Sequence, residues 1–545
     1  MTERIGSEME ARLPWRGLAI LAAGLLLLLF ARSMCGARFF DLDEHQFVAP
    51  PLLLDQQGKM PYADYPYFHM PNLVYLYAAV MQFFPYKLLV ARTLSALCGT
   101  GTALLVFVAG WRALSGFTAR GRWVIAGGMV AVLICSRIFT YTSGLAWNHD
   151  APVVCAVGAF MLMLGRDWRN GAGDTRWWRF GLAGLLVGMA TGIRLTFAPL
   201  ALVCGLAALI SPGVPWRRRW AGFAAGALGV LIALLPALVA LRQSPSQFLF
   251  GNWGYPLLYR HYVEAGPNPH GLTIAAKLLY CLGKFLTDPA DAVILGLFVG
   301  AAVCAWRRRH RDAGPWRPLV LALAFLAALW IGAIAPAQIQ WQYLFPLLPF
   351  IIIATMVMIG SGKSGGDQTP EARAVRWGGW VLVVGCCALV TAAVGLPRWY
   401  WGIIDLPRPW RWTPVVVHER GVWLREHLAA AHVEKQSVLT IDPVVPLEAG
   451  IDVYPEFATG RLLMHVGPYA TATVLHEQHL AWGPELERLL AERPPAAILY
   501  DVGLEELVPG FVKYAREQGM VAVDSPAAGH EPKYRLWVRP IAPVQ

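Results

Sequence analysis

The sequence predicts a polytopic α-helical membrane protein of about eleven transmembrane helices, with a small C-terminal α/β domain outside the membrane. Three observations point there. Of 545 residues, 56% are hydrophobic and only 15% charged, whereas soluble domains carry about a quarter charged residues. Apolar runs recur from about residue 17 to residue 396, each ended by an Arg-rich or Gly/Pro-rich break. Beyond residue 396 the pattern stops, which divides the chain into a membrane domain, 1–396, and a tail domain, 397–545.

The first apolar run, 17–34, follows Arg4, Arg12 and Arg16 as a signal peptide would, but it lacks a small-x-small cleavage site and leads into further runs. It reads as a retained first helix. Further spans are expected near 88–110, 123–142, 150–165, 180–192, 196–210, 220–241, 289–306, 318–335, 341–360 and 376–396. The stretch 180–210 is long enough for one tilted helix. Arg176 and Arg179 precede it and Arg217 to Arg219 follow it, so both ends should be cytoplasmic and the segment should cross twice, turning near Thr191 to Thr196. With that parity the N-terminus is cytoplasmic. The first outer loop, 35–87, the loops 143–149, 242–288 and 336–340, and the tail all face outward. Segments 71–85 and 272–286 have helical spacing suited to lying along the interface. In the tail, strand-like runs at 437–441 and 496–500 alternate with helix-like runs near 418–431 and 484–492, which reads as a small α/β domain.

The net charge of +11 is concentrated between apolar runs, as in Arg217, Arg218 and Arg219. That is the positive-inside signature, and it excludes nucleic acid as the partner in favour of the bilayer. The nine cysteines all lie between Cys35 and Cys387, mostly inside apolar runs, which excludes a disulfide framework or a cysteine zinc site as the organising element.

Candidate functional residues gather on the outer side. Asp41, Asp43 and Glu44 stand just past the first helix, where a carboxylate can act as general base or simply flank the helix in solvent. The same loop carries Lys59, Tyr62, Asp64 and His69 in a stretch rich in aromatic residues. Its length and aromatic density suit a binding site, Lys59 and His69 facing a phosphate and the tyrosines a sugar or lipid, with a structural hydrogen bond as the alternative for His69. Asn148, His149 and Asp150 open a helix, as ligands or as an N-cap. Arg194 lies between two apolar halves, where an arginine is costly unless paired, so it is a functional candidate, with an anionic ligand or a loop carboxylate as partner. Gln338, Gln340, Gln342 and Tyr343 offer amides and a phenol to sugar hydroxyls or phosphate oxygens, although packing explains Tyr343 equally well.

These segments, in order, resemble a known class. Asp43-Glu44, Gly58-x-x-Pro61-Tyr62-x-Asp64, His69-x-Pro71, Ala91-Arg92, Asn148 to Pro152, Gly184 to Thr196 and Gln342 to Pro349 resemble the polyprenyl-phosphate-sugar-dependent glycosyltransferases of the GT-C class. The relevant members are the bacterial enzymes akin to protein mannosyltransferases and the lipid A aminoarabinose transferase. The resemblance spans most of residues 15–360. It implies inverting transfer of a sugar from a polyprenyl-phosphate donor to a hydroxyl on an envelope glycan, lipid or protein acceptor, at the outer face of the cytoplasmic membrane. It implies an acidic base in the first outer loop, for which Asp43 matches best, with Glu44 beside it and Asp41 in reserve. Arg194, Lys59 and His69 are the groups it suggests for the leaving phosphate.

The chain departs from the family in two places. Arg194 stands where members often carry Lys, and Met70-Pro71-Asn72 replaces the Lys-Pro-Pro of the aminoarabinose-type members. No cofactor is expected to be required. A divalent ion is compatible with Asp43, Glu44, His45 and Asp150, but their spacing specifies none. A transporter or flippase and a non-catalytic envelope-assembly subunit are the competing readings. The hydropathy shows no inverted repeat, and the first-loop carboxylates are present, which disfavours each in turn.

Overall fold

The computed structural model describes residues 15–35, 42–165, 176–211, 214–266, 273–308, 316–361, 370–433, 437–526 and 533–539. Asp41 lies outside the described residues. Among the described residues, five helices are long and apolar enough to cross a membrane, or up to six when one bent pair is taken as a span. Shorter apolar helices accompany them, so this is a multi-pass helical architecture with a small mixed sheet near its C-terminus.

The first helix, α1 (Trp15–Cys35), leads into the outer loop, where α2 (His45–Gln57) and α3 (Asn72–Met81) form. The loop is therefore folded rather than a connector. The long α4 (Lys87–Ala113) returns into the membrane and α5 (Ala119–Cys135) follows. The span expected over 123–142 is broken at Ser136, whose backbone leaves the helical region and whose hydroxyl caps α6 (Arg137–Thr142) by accepting from Phe139 N at 3.1 Å. Next come α7 (Asp150–Leu164) and α8 (Trp177–Ile193). As the charge pattern predicts, the 180–210 stretch does not run through as one helix. It stops at Arg194, passes through a 3-10 turn at Leu195–Phe197, and resumes as α9 (Pro199–Leu209).

The placement of Arg194 depends on how α8 is held. Its partner is α10 (Trp216–Ala233), continued after a 53° bend as α11 (Leu235–Gln243). Pro236 explains that bend, since it lacks an N–H and its ring crowds the preceding turn. Along the α8–α10 seam a side chain at Gly184 would stand 2.0 Å from Gly226 O, and one at Gly229 would stand 2.2 Å from Gly181 O. Only glycine permits this backbone approach, the usual device where lipid supplies no hydrophobic drive between helices.

Next follow α12 (Tyr255–Ala265) and the amphipathic α13 (Ile274–Thr287), then α14 (Pro289–Arg308), α15 (Trp316–Ile334), α16 (Leu347–Gly360) and α17 (Pro370–Gly395). Helix α16 is buried along nearly its whole length and forms the centre of the membrane core with Phe160, Phe325 and Phe345.

The apolar helical stretch of α17 runs on to Asp405, and beyond it the tail carries α18 (Thr413–Ala430), β1 (Val438–Thr440), β2 (Ala497–Asp501), β3 (Val521–Asp524) and β4 (Tyr534–Val538). Strand order is β1-β2-β4-β3, with β1 parallel to β2 and β4 antiparallel to both its neighbours. The two runs expected as strands are β1 and β2, the buried pair. Strands β3 and β4 extend the sheet beyond what the sequence pattern suggests.

Candidate active site

The site forms where α8 ends. The Arg194 guanidinium reaches both ring nitrogens of His149, Nη1 standing 3.0 Å from Nε2 and closer still to Nδ1, and its Nε donates to Thr196 Oγ1 at 3.1 Å. The Tyr343 ring lies 4.5 Å from the guanidinium carbon on the other side. These expected residues therefore converge, and of the two partners expected for Arg194, an anionic ligand or a loop carboxylate, no carboxylate bonds it among the described residues. Burial lowers the Arg194 guanidinium to about 10, so it remains a cation at neutral pH. Burial also pushes His69 down to about 3, with help from the nearby Arg194 charge, and holds His149 well below the ordinary imidazole value for the same two reasons. A fixed cation packed against a neutral imidazole and a phenol is suited to receive an anion.

Arg194 is held there by a close backbone approach. A side chain at Gly332 of α15 would meet Thr196 O at 2.0 Å. Arg194, Thr196, Phe197, Gly332, Tyr343 and Pro346 line a small cavity at this point.

Asp43 lies within electrostatic reach of Tyr343, Tyr255 and Tyr259. Tyr343 thus lies within electrostatic reach of both Asp43 and Arg194, whose guanidinium packs on its ring. Its neighbour Glu44 is differently employed. Glu44 receives Arg92 Nε at 2.9 Å and Nη2 at 2.6 Å, and Ala146 N at 2.8 Å, with both charged side chains buried. That carboxylate ties the first outer loop to α4 and to the 143–149 loop, so its geometry supports positioning rather than proton abstraction.

Other expected residues shape the loops. Asp150 accepts from Ser143 Oγ at 2.7 Å and Gly144 N at 2.8 Å, holding the turn that presents Asn148 and His149. Lys59 pairs with Asp64 at 3.6 Å, and Asp64 also accepts Met60 N at 2.6 Å, so both serve the loop's own turn. The Tyr62 hydroxyl donates to the His69 carbonyl, and its backbone sits at φ 69°, in the left-handed region that a tyrosine adopts only when its surroundings impose it. His69 bonds Gln46 and packs 4.8 Å from the Phe47 ring. Gln340 donates to Gln338 at 3.0 Å, and the buried Gln342 Oε1 has no hydrogen-bond partner. The suggested metal ligands do not converge, since Glu44 pairs with Arg92, His45 faces Asp442 and Asp150 closes its own turn. No group of three His, Cys, Asp or Glu side chains fit for a metal ion forms among the described residues.

The sequence reading did not assign a site role to Arg92, Tyr255, Tyr259 or the tail's Asp442. Arg92 carried a signal, a charge inside an apolar run. The others are brought in by tertiary packing alone.

No protein-family model and no curated protein matches the sequence. Among solved structures, ArnT from Cupriavidus metallidurans bound to undecaprenyl phosphate superposes with a TM-score of 0.58 at 13% identity, covering 95% of this chain and 98% of that one. The apo state of the same protein gives a TM-score of 0.60 at 12% identity over 96% and 98%. An oligosaccharyltransferase from Archaeoglobus fulgidus is matched more weakly, at a TM-score of 0.46 and 13% identity over 91% of this chain and 69% of that one. The arrangement of helices, first loop and tail is thus the fold seen in ArnT.

Proposed function

We propose that this chain is an inverting glycosyltransferase that moves a sugar from a polyprenyl-phosphate donor to an acceptor hydroxyl at the outer face of the cytoplasmic membrane. The observation that carries this reading is the Arg194 cation held against His149, Thr196 and the Tyr343 ring, with the Asp43 carboxylate within electrostatic reach of the same phenol. A general base and a phosphate-holding cation are what such a displacement needs. The fold shared with an undecaprenyl-phosphate-bound structure supports it.

In this reaction the acceptor oxygen attacks the anomeric carbon from the face opposite the phosphate. The new glycosidic bond forms as the bond from the anomeric carbon to the phosphate oxygen breaks, which inverts the centre. The acceptor proton passes to the Asp43 carboxylate. The electron pair leaves on the polyprenyl phosphate, whose oxygens face Arg194 and the Tyr343 hydroxyl. Neutral His149 keeps the guanidinium aimed without competing for the anion. Glu44 and Arg92 hold the first loop, and the acceptor is an envelope glycan, lipid or protein.

The same reading places about eleven spans in the membrane, the N-terminus in the cytoplasm, and residues 397–545 as a domain outside. Helices shorter than a full span are tolerated where protein neighbours satisfy their ends. The test is transfer of label from pooled polyprenyl-phosphate sugars to envelope acceptors by membranes holding wild type or Asp43→Asn at matched expression. Loss of about a hundredfold or more in the variant is expected for removal of a general base. Transfer by both proteins would move the base elsewhere, and transfer by neither from a broad donor pool would remove the transferase reading.

A further inference from the structure

Trp341 opens the 3-10 turn that ends at Tyr343, two residues from the ring over Arg194. The Arg137 guanidinium carbon lies 4.5 Å from a ring centroid of this indole, and the Lys284 ammonium lies 4.3 Å from it. Lys284 is also 5.0 Å from the Tyr280 ring. Two like charges are thus gathered on one side chain. A ring face attracts a cation but leaves most of its N–H donors unused.

The neighbouring acids are engaged elsewhere. Asp288 pairs with Arg398, and Asp291 accepts from Ser136 Oγ and, at 3.4 Å, from Ile138 N. Lys277, two turns before Lys284, spends its ammonium on the carbonyls of Ile334 and Pro336 at 2.7 and 2.5 Å. Among the described residues, Arg137 and Lys284 have no such acceptor. Arg137 is exposed and Lys284 half-buried, so both remain open to a ligand.

We propose that Arg137, Lys284 and Trp341 form a binding site for the phosphate of an anionic lipid headgroup, separate from the Arg194 site. An arginine fork beside a lysine point charge suits phosphate oxygens. That the phosphate belongs to a lipid follows from α13 itself. Ile274, Leu278, Leu279, Leu282 and Leu286 are all exposed on one face, while Lys277, Cys281 and Phe285 are buried on the other. Such a helix lies in the interface with its apolar face in hydrocarbon, which sets Lys284 at headgroup level. A lipid phosphate held there would fix Trp341, and through it the turn that carries Tyr343. The site does not depend on the transfer reaction, because it can be occupied without donor or acceptor.

The test is native mass spectrometry of the full-length protein, purified in neutral detergent and offered short-chain phosphatidylglycerol, a diacylglycerol of the same chains, or inorganic phosphate. Wild type should retain phosphatidylglycerol and not the diacylglycerol. Arg137→Ala with Lys284→Ala should weaken retention by roughly tenfold or more, and the charge-preserving pair Arg137→Lys with Lys284→Arg should restore most of it. Arg194→Ala should leave it unchanged. Equal retention by the double alanine variant, or equal retention of the diacylglycerol, would overturn the proposal. So would loss in Arg194→Ala, which would merge the two sites, or inorganic phosphate displacing the lipid at equal concentration, which would make the site one for a free anion.

Discussion

Asp442 of the tail lies 3.2 Å from His45 Nε2 in the first outer loop, and each side chain is only 1% exposed. Val444 N faces His45 Nδ1 at 3.4 Å, which leaves Nε2 turned toward the carboxylate. Asp442 in turn accepts Asp501 N at 3.1 Å, which ties it to the end of β2. Close by, Gly460 takes φ 61°, and a side chain added there would meet His45 Cβ at 3.2 Å. Because His45 directly follows Asp43 and Glu44, the tail sheet grips the turn that carries the proposed base. Asp442→Ala is expected to slow turnover about tenfold, as a small misplacement of a reacting group does, with donor affinity near wild type. Asp442→Asn should keep most of the activity because its amide oxygen can still accept Asp501 N and its size is unchanged beside His45. Single-turnover transfer and donor binding, measured side by side, check this. Wild-type turnover in the alanine variant would remove the tail from the catalytic geometry.

Glu44 and Asp43 should respond differently to loss of charge. Glu44→Gln leaves the Arg92 guanidinium unpaired in a buried setting, which costs about 3 kcal/mol or more of stability. Adding Arg92→Met removes the stranded cation and should recover much of that loss. Asp43→Asn should abolish transfer with little change in melting temperature. Thermal unfolding of the four proteins separates the two roles, and a Glu44→Gln protein as stable as wild type would contradict the structural assignment of Glu44.

The parts of this site visible in the sequence are those where a residue conflicts with its surroundings. Arg194 stood out because a charge in an apolar run needs a reason, and the flanking arginines placed the break at its position. Loop residues His69, His149 and Tyr343 stood out by type, but nothing in their spacing said that the first two would be held neutral by burial beside Arg194. Glu44 and Asp43 looked alike until Arg92 and Ala146 N claimed one of them. The break at Ser136 was hidden because apolar residues continue past it on both sides. Strand β3 was hidden for a different reason: three of its four residues are exposed, so it has no buried alternation to read.

The buried His69 makes stability fall on acidification. Its folded value of about 3 lies below the ordinary 6.5, so the unfolded chain binds the proton more readily. The contribution is therefore fully present above about 6.5 and is lost as pH falls from there toward 3. Between about pH 7 and about pH 5 this amounts to about 2 kcal/mol. His69→Gln should flatten the dependence over that interval. Thermal unfolding at the two pH values reads it directly, and an unchanged slope in the variant would place the titrating group elsewhere.

Gly332 tests whether the Arg194 turn is set by packing from α15. A methyl group added there would lie 2.0 Å from Thr196 O, which is backbone and cannot swing aside. Helix α15 or the 3-10 turn must move, at a cost of about 1–3 kcal/mol. Movement of the turn carries Thr196 away from Arg194 Nε, now 3.1 Å from its hydroxyl, and loosens the guanidinium under Tyr343. Gly332→Ala should therefore weaken binding of a polyprenyl-phosphate donor by roughly tenfold, while Asp43 and the tail contacts stay in place. A larger residue at Gly300 of α14, where an added carbon meets nothing within 4 Å, should change neither stability nor donor binding and serves as the control. Wild-type donor affinity in Gly332→Ala, with a lowered melting temperature, would show that α15 yields and the Arg194 turn does not.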